Sequence, residues 1–553
     1  FCELRSNSSK FEMDDQTRCL YKLYLPNDGG MLCLKDAIED VLENDGFVEL
    51  KKSNKNGRDF KELNHRVRAS KVPRLDTPST IIVDGDSLTT ESLIQLGTGD
   101  YNIQISHDAL RRVKEGRDLV KKIVAEKKVV YGINTGFGKF AQKVISDENL
   151  GELQANLIRS HAAGVGKALT LKEIRMIMAL RINVLAKGYS GISVENLGRI
   201  VDAFNASCLS WIPEQGTVGA SGDLAPLAHL ALGLMGEGKM WSRKSGWADA
   251  KVVLDAHGLK PIVLGPKEGL AMINGTQLIT AVGTEALARA IAISRQADII
   301  AAMSLDCLKG TSRAFDSRVH KLRPHKGQIT VAQRLRTVLH SEFYPSKIAE
   351  SHRFCNRVQD AYTLRCCPQV HGIVLDTIEF VRGILTTEMN SATDNPMIFA
   401  ESGETVSAGN FHGEYPAKAL DYLAIGVHEL ANMSERRIER LVNPAYSGLP
   451  AFLVENGGLN SGYMVAHYTA AALVSENKVL CHPSSVDSLS TSAGTEDHVS
   501  MGGYSARKAV KVVENVERVL AVELLAACQA IHLLRPLTTT EPLEAVYALV
   551  RCH

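Results

Sequence analysis

The chain has 553 residues, 45% of them hydrophobic, 23% charged and 6% aromatic, enough for two or three domains or one large helical body. Its 63 Lys and Arg against 62 Asp and Glu leave a net charge of +1, which argues against nucleic-acid binding by counterion release and against a polybasic membrane surface. The 44 glycines and 17 prolines are scattered, so collagen-like and low-complexity readings fail, and the longest uncharged apolar run, Leu224 to Gly236, is too short to span a bilayer.

Residues 1–78 are polar, rich in Lys, Asp and Asn, and end in the stretch Lys71-Val72-Pro73-Arg74-Leu75-Asp76-Thr77-Pro78. They read as an accessory segment and linker without an assigned function. The sequence opens at Phe1 with no signal-like region, so the true N-terminus is expected to lie outside it. Eleven cysteines without a CxxC motif read as reduced thiols, which points to the cytoplasm.

From Ser79 to about Met272, short strand-like runs such as Ile81-Ile82-Val83 and Val129-Val130-Tyr131 alternate with helices and glycines. A mixed α/β domain is expected there. Beyond it the pattern becomes long and helical over 277–309, 413–442 and 504–534, with Val513, Val516, Leu520, Leu524, Ala527 and Ile531 at three- and four-residue spacing. The fold class expected is mainly α: a long central helix bundle over 273–553, with a smaller mixed N-terminal domain carrying active-site loops.

Several standard signatures are missing. There is no GxxxxGK[ST] and no GxGxxG after a strand. His428-Glu429-Leu430-Ala431-Asn432 has Asn where a second zinc ligand must stand, so it reads as a pair on a helix surface, and no metal site is expected. The stretch Gly216-Thr217-Val218-Gly219-Ala220-Ser221-Gly222-Asp223-Leu224-Ala225-Pro226-Leu227 crowds small residues into a turn before an apolar helix. On physics alone it is a helix start, with Ser221 or Asp223 as cap and Pro226 in the first turn. Asn274 reads as a cap at a helix start, and His161 as a core histidine. Tyr362 and Arg365, three apart, share one helix face.

Taken together, the tripeptide stretch, Tyr131-Gly132-Ile133-Asn134-Thr135-Gly136-Phe137-Gly138, Met272-Ile273-Asn274-Gly275-Thr276-Gln277, Gln359 to Val370, Asn390 to Pro396 and Gly409 to Gly413 resemble the aromatic amino acid ammonia-lyases over roughly residues 79–550. The resemblance implies a fumarase/aspartase-like architecture and a built-in electrophile, 4-methylidene-imidazol-5-one, with no external cofactor. Its ring would be closed by a cross-link between Ala220 and Gly222, with Ser221 dehydrated to 2,3-didehydroalanine. Gly at 222 suits the close backbone approach this needs.

The resemblance also assigns roles. Tyr131 is the implied base. Asn274, Tyr362, Asn395 and Phe411 match residues near the electrophile, and Gln277 matches a substrate-binding position. Arg365 offers a planar fork to a substrate carboxylate. The pair Ser160-His161 and the acid Glu496 match the histidine-specific branch, and Met464 a position lining the ring pocket. Thr495 departs from the Gln usual in bacterial relatives. The implied reaction is elimination of ammonia from L-histidine to give trans-urocanate, in a cytoplasmic homotetramer whose active sites draw on several subunits. Family members continue past His553, so a C-terminal piece is expected beyond it. A lyase or aminomutase acting on tyrosine or phenylalanine, and an idle structural homologue, remain as alternatives.

Overall fold

The computed structural model describes residues 79–552, and the expected accessory segment 1–78 lies outside the described residues. Strand β1 (Ser79–Val83) pairs in parallel with β2 (Tyr101–Ile105), as the apolar run Ile81 to Val83 foretold. The second strand-like run, Val129 to Tyr131, is irregular chain that enters a turn at Tyr131. Its backbone partners are taken by one side chain: Asn134 accepts from Val130 N (2.9 Å) and donates to the Lys128 carbonyl (2.8 Å). A local amide that satisfies both groups competes with a sheet ladder and here displaces it.

The elements that position the site are α1 (Leu150–His161), α2 (Leu171–Ala186), α3 (Leu224–Leu234), α4 (Glu268–Ile273) and α5 (Gln277–Cys307). They continue in α6 (Cys367–Met389), α7 (Glu414–Val442), α8 (Met464–Leu480) and α9 (Gly502–Leu533). Helix α2 starts in a capping box in which Thr170 and Glu173 satisfy each other's backbone amides. Pro368 sits in the first turn of α6, where its missing N–H costs nothing.

Helices α5, α7 and α9 pack along their lengths into the bundle core, with α6 and α8 against them. Ala-rich faces let these helices approach closely, and α5 is buried almost all round because neighbours cover every side. One hydrophobic cluster runs from Val83 to Val550, so elements on both sides of residue 272 share a core. Among the described residues no helix is long and apolar enough to cross a membrane. The pair at His428 is not on the surface: His428 is buried on the inner face of α7, and desolvation lowers its pKa.

Buried ion pairs tie the bundle together. Arg437 on α7 grips Glu523 on α9 through two hydrogen bonds, with both side chains fully buried. Lys508 meets Asp421 (2.7 Å), joining the same helices nearer their N-terminal ends.

Candidate active site

The stretch 216–223 does not cap its helix in the ordinary way. Asp223 occupies the N-cap position of α3 but makes no capping bond to it. Its carboxylate instead accepts from Ile279 N (3.0 Å) in the first turn of α5 and pairs with Thr217 Oγ1 (3.3 Å). Full burial raises its pKa to about 7 despite those hydrogen bonds. The tripeptide turn is thereby fastened to the start of a long buried helix of the bundle.

Gly222 lies against Gly275 in a local parallel bridge, and Asp223 N donates to the Gly275 carbonyl (2.7 Å). Its φ is +72°, and a Cβ there would stand 2.2 Å from Gly275 O. Only glycine fits at that position. Ala220 is buried, and the Ser221 hydroxyl donates to Glu496 Oε1 (3.2 Å).

Glu496 closes a tight turn that begins at Thr491. The Thr491 amide donates to the Glu496 carbonyl (2.9 Å), and the Thr491 hydroxyl donates to Glu496 Oε2 (2.8 Å). One carboxylate oxygen is thus anchored while the other faces Ser221. The Tyr131 loop packs onto this turn, with Gly138 so near Ser492 that a Cβ would be 3.0 Å from its hydroxyl. Within that loop the Tyr131 phenol accepts from Gly138 N (3.4 Å), and its ring meets Phe137 edge-on.

His161 ends α1 near Glu496. Its Nδ1 lies 2.8 Å from the Leu157 carbonyl and 3.0 Å from the Ser160 hydroxyl. A carbonyl can only accept, so Nδ1 carries the proton and Nε2 keeps its lone pair. Burial lowers the His161 pKa, opposed by the Leu157 hydrogen bond and the nearby Glu496 charge. The ring is therefore a neutral acceptor at neutral pH.

Asn274 ends α4 rather than starting a helix. Its Nδ2 donates to the Asn395 carbonyl (2.9 Å), and its Oδ1 is buried with no hydrogen-bond partner among the described residues. Buried Arg181 holds it from behind, donating to the Asn274 and Ala271 carbonyls and to Gln277 Oε1. The other end of the Gln277 amide donates to Thr393 Oγ1 (2.8 Å), so the chain's own groups engage both ends. Asn395 Oδ1 accepts from Ala408 N (2.6 Å), and Asp394 forms a fully buried pair with Lys267 (3.2 Å). Phe411 lies half-buried in the turn before α7. Arg181 gave no sequence signal because its partners lie far away in the chain, and Thr491 gave none because a lone threonine does not announce the turn it closes with Glu496.

Tyr362, Arg365 and Met464 are elsewhere. Gly413, just before α7, abuts Ser500, whose hydroxyl reaches the Gly219 carbonyl (3.4 Å). Arg437, near the other end of α7, donates to the Thr363 carbonyl. The intervening stretch of helix puts roughly 35 Å between these ends. Tyr463, beside Met464, donates to the Leu525 carbonyl late in α9, and His467 contacts Glu435 late in α7. The three residues thus gather at the far end of the bundle, where the Arg365 guanidinium stacks 4.7 Å from the exposed Tyr362 ring. Within one chain the site residues form two half-sites.

A helix bundle carrying small-residue turns at one end has the mainly α, fumarase/aspartase-like architecture, and the sequence profile of the aromatic amino acid lyases matches residues 88–552. The chain belongs to that family. It is 66% identical to histidine ammonia-lyase of Homo sapiens over 523 residues, covering 94% of this chain and 80% of that protein. It is 71% identical to histidine ammonia-lyase of Bos taurus over 471 residues, covering 85% and 72%. The solved histidine ammonia-lyase of Trypanosoma cruzi superposes with a TM-score of 0.79 at 57% identity, covering 86% of this chain and 89% of that one.

Proposed function

We propose that this chain catalyses the non-oxidative elimination of ammonia from L-histidine, giving trans-urocanate, at a site built around Ala220-Ser221-Gly222. The observation that carries the reading is the convergence of His161 and Glu496 beside Ser221 in a member of this family. Glu496 offers an acceptor for the single N–H of a neutral imidazole, a donor that a phenyl ring lacks.

The residues at 220–222 fit a 4-methylidene-imidazol-5-one. Gly222 occupies a cradle a Cβ would fill, Ser221 carries the hydroxyl that must leave, and the orphaned Asn274 Oδ1 is a polar atom awaiting a partner beside them. Once formed, the group supplies an electrophilic carbon at position 221 that turns an amine into a leaving group. The N-terminus of α3 lies next to it and favours electron density there. His161 and Glu496 orient the imidazole. Tyr131, on the loop that packs against the Glu496 turn, takes the β-proton. The electrons of that C–H bond become the new double bond, the C–N bond breaks toward nitrogen, and ammonia leaves.

Arg365 binds the carboxylate and Met464 lines the ring in this reading, but from a neighbouring copy. Roughly 35 Å of helix separates them from Ser221 in their own chain. Antiparallel packing of bundles in a homotetramer brings one chain's far end to another's near end. The exposed Tyr362 ring is consistent with a surface that a second copy covers.

The test is turnover by the purified chain of L-histidine, L-tyrosine and L-phenylalanine, each followed through the absorbance of its conjugated product. Urocanate should form at a kcat/KM at least about a hundredfold above the others, since a site built to hydrogen-bond its substrate rejects analogues lacking the polar groups. Faster formation of either aryl acrylate would overturn the assignment.

A further inference from the structure

Beside the near half-site lies a group of side chains that the reaction does not use. His412, Glu414 and His498 each place one ligand atom within 4.8 Å of the others. They come from two separate segments, the turn leading into the first residue of α7 and the loop after Glu496. No metal-ligand spacing is visible in the sequence because His498 lies more than eighty positions from the other two.

Each member is prepared for ligation. His412 Nε2 lies 3.2 Å from the His498 carbonyl, which can only accept, so the proton is on Nε2 and the Nδ1 lone pair is free. Glu414 gives Oε1 to Lys418 (2.9 Å), while Oε2 is buried without a hydrogen-bond partner and stands 4.0 Å from His498 Nε2. A buried carboxylate oxygen without a donor is costly, and a cation would satisfy it. His498 is exposed and stacks on the His412 ring, so it can turn about its side-chain bonds to complete the set. Two imidazoles and one carboxylate with an open position suit a borderline divalent ion such as Zn2+, Co2+ or Ni2+ rather than Ca2+ or Mg2+, which prefer all-oxygen sites.

We propose that His412, His498 and Glu414 form a binding site for a divalent cation of the zinc class. The cation clips the turn carrying Phe411 to the loop carrying Glu496, so it sets the spacing of two walls of the half-site. This site does not depend on the substrate assignment, because binding is read without turnover.

The experiment uses the untagged full chain, stripped with a chelator and titrated with Co2+, following the visible d–d absorption of the bound ion and its displacement by Zn2+. Each chain is expected to take up one Co2+, giving a band that Zn2+ abolishes. His498→Asn, at an exposed position that the fold does not need, and Glu414→Gln should each weaken binding by more than the roughly 10- to 100-fold that outer-shell partners contribute. Absence of the band would overturn the proposal. So would a band that both variants leave unchanged, since it would place the ion among others of the chain's 17 histidines.

Discussion

At the scale of single residues, Thr491 decides how Glu496 is presented. Its hydroxyl fixes one carboxylate oxygen at 2.8 Å and leaves the other toward Ser221. Thr491→Val keeps the shape and removes the donor, so kcat/KM for L-histidine should fall about tenfold, the worth of a hydrogen bond to a charged group. Thr491→Ser should restore it. Full activity in Thr491→Val with a loss in Thr491→Ser would show that the methyl contact, and not the hydroxyl, matters. Asp223 offers a second check. Its folded-state pKa of about 7 stands above the ordinary 3.8, so between those values the folded chain holds a proton that the unfolded chain has released. Its contribution is therefore favourable in acid and is lost as pH rises toward about 7. Asp223→Asn should flatten that decline, which denaturation midpoints at about pH 5 and about pH 8 would reveal. An unchanged pH dependence would mean that other groups set it.

Much of the candidate site's residue-level composition was legible in the sequence. Ala220-Ser221-Gly222 and the Tyr131 loop are contiguous, and their glycines mark places where backbone approaches backbone. Glu496 and His161 were legible through the family resemblance, while their convergence was not, since it depends on how the loop 491–496 folds over α1 and α3. Arg181 was invisible because its work depends on distant tertiary partners, and Thr491 because an ordinary threonine does not announce its turn with Glu496. The misreading of Asn274 as a helix-start cap has the same origin. A local signal gave the residue type a role, and the fold placed it at a helix end beside Asn395 instead.

At the scale of elements, apolar periodicity marked the three core helices to within a few residues, because each buries a face against long neighbours. The run 129–131 failed as a strand because Asn134 satisfies its backbone first. Where charge is buried between elements, the structure is exposed to single substitutions. Glu523→Gln leaves Arg437 charged and unpaired between α7 and α9, and should cost about 3–5 kcal/mol. A denaturant titration reads this directly, and a loss below about 1 kcal/mol, the worth of an ordinary surface pair, would show that water reaches the guanidinium.

At the scale of the whole molecule, the separation of the two half-sites is the dominant fact. Ser221 and Arg365 sit at opposite ends of one chain's bundle, so the proposed site would draw its Arg365 from a different copy. Ser221→Ala and Arg365→Met should each be nearly inactive alone. Co-assembled from equal amounts, they should recover about a quarter of the sites, since both mutated positions are then absent from that share by random mixing. No recovery would mean that both residues serve from the same chain. The central claim remains that 220–222 matures into the electrophile, and a peptide mass across 219–223 tests it most directly. In protein that turns over L-histidine, that peptide should be lighter than the encoded sequence by two waters, one from ring closure and one from the Ser221 hydroxyl. An unmodified mass in active protein would contradict the account.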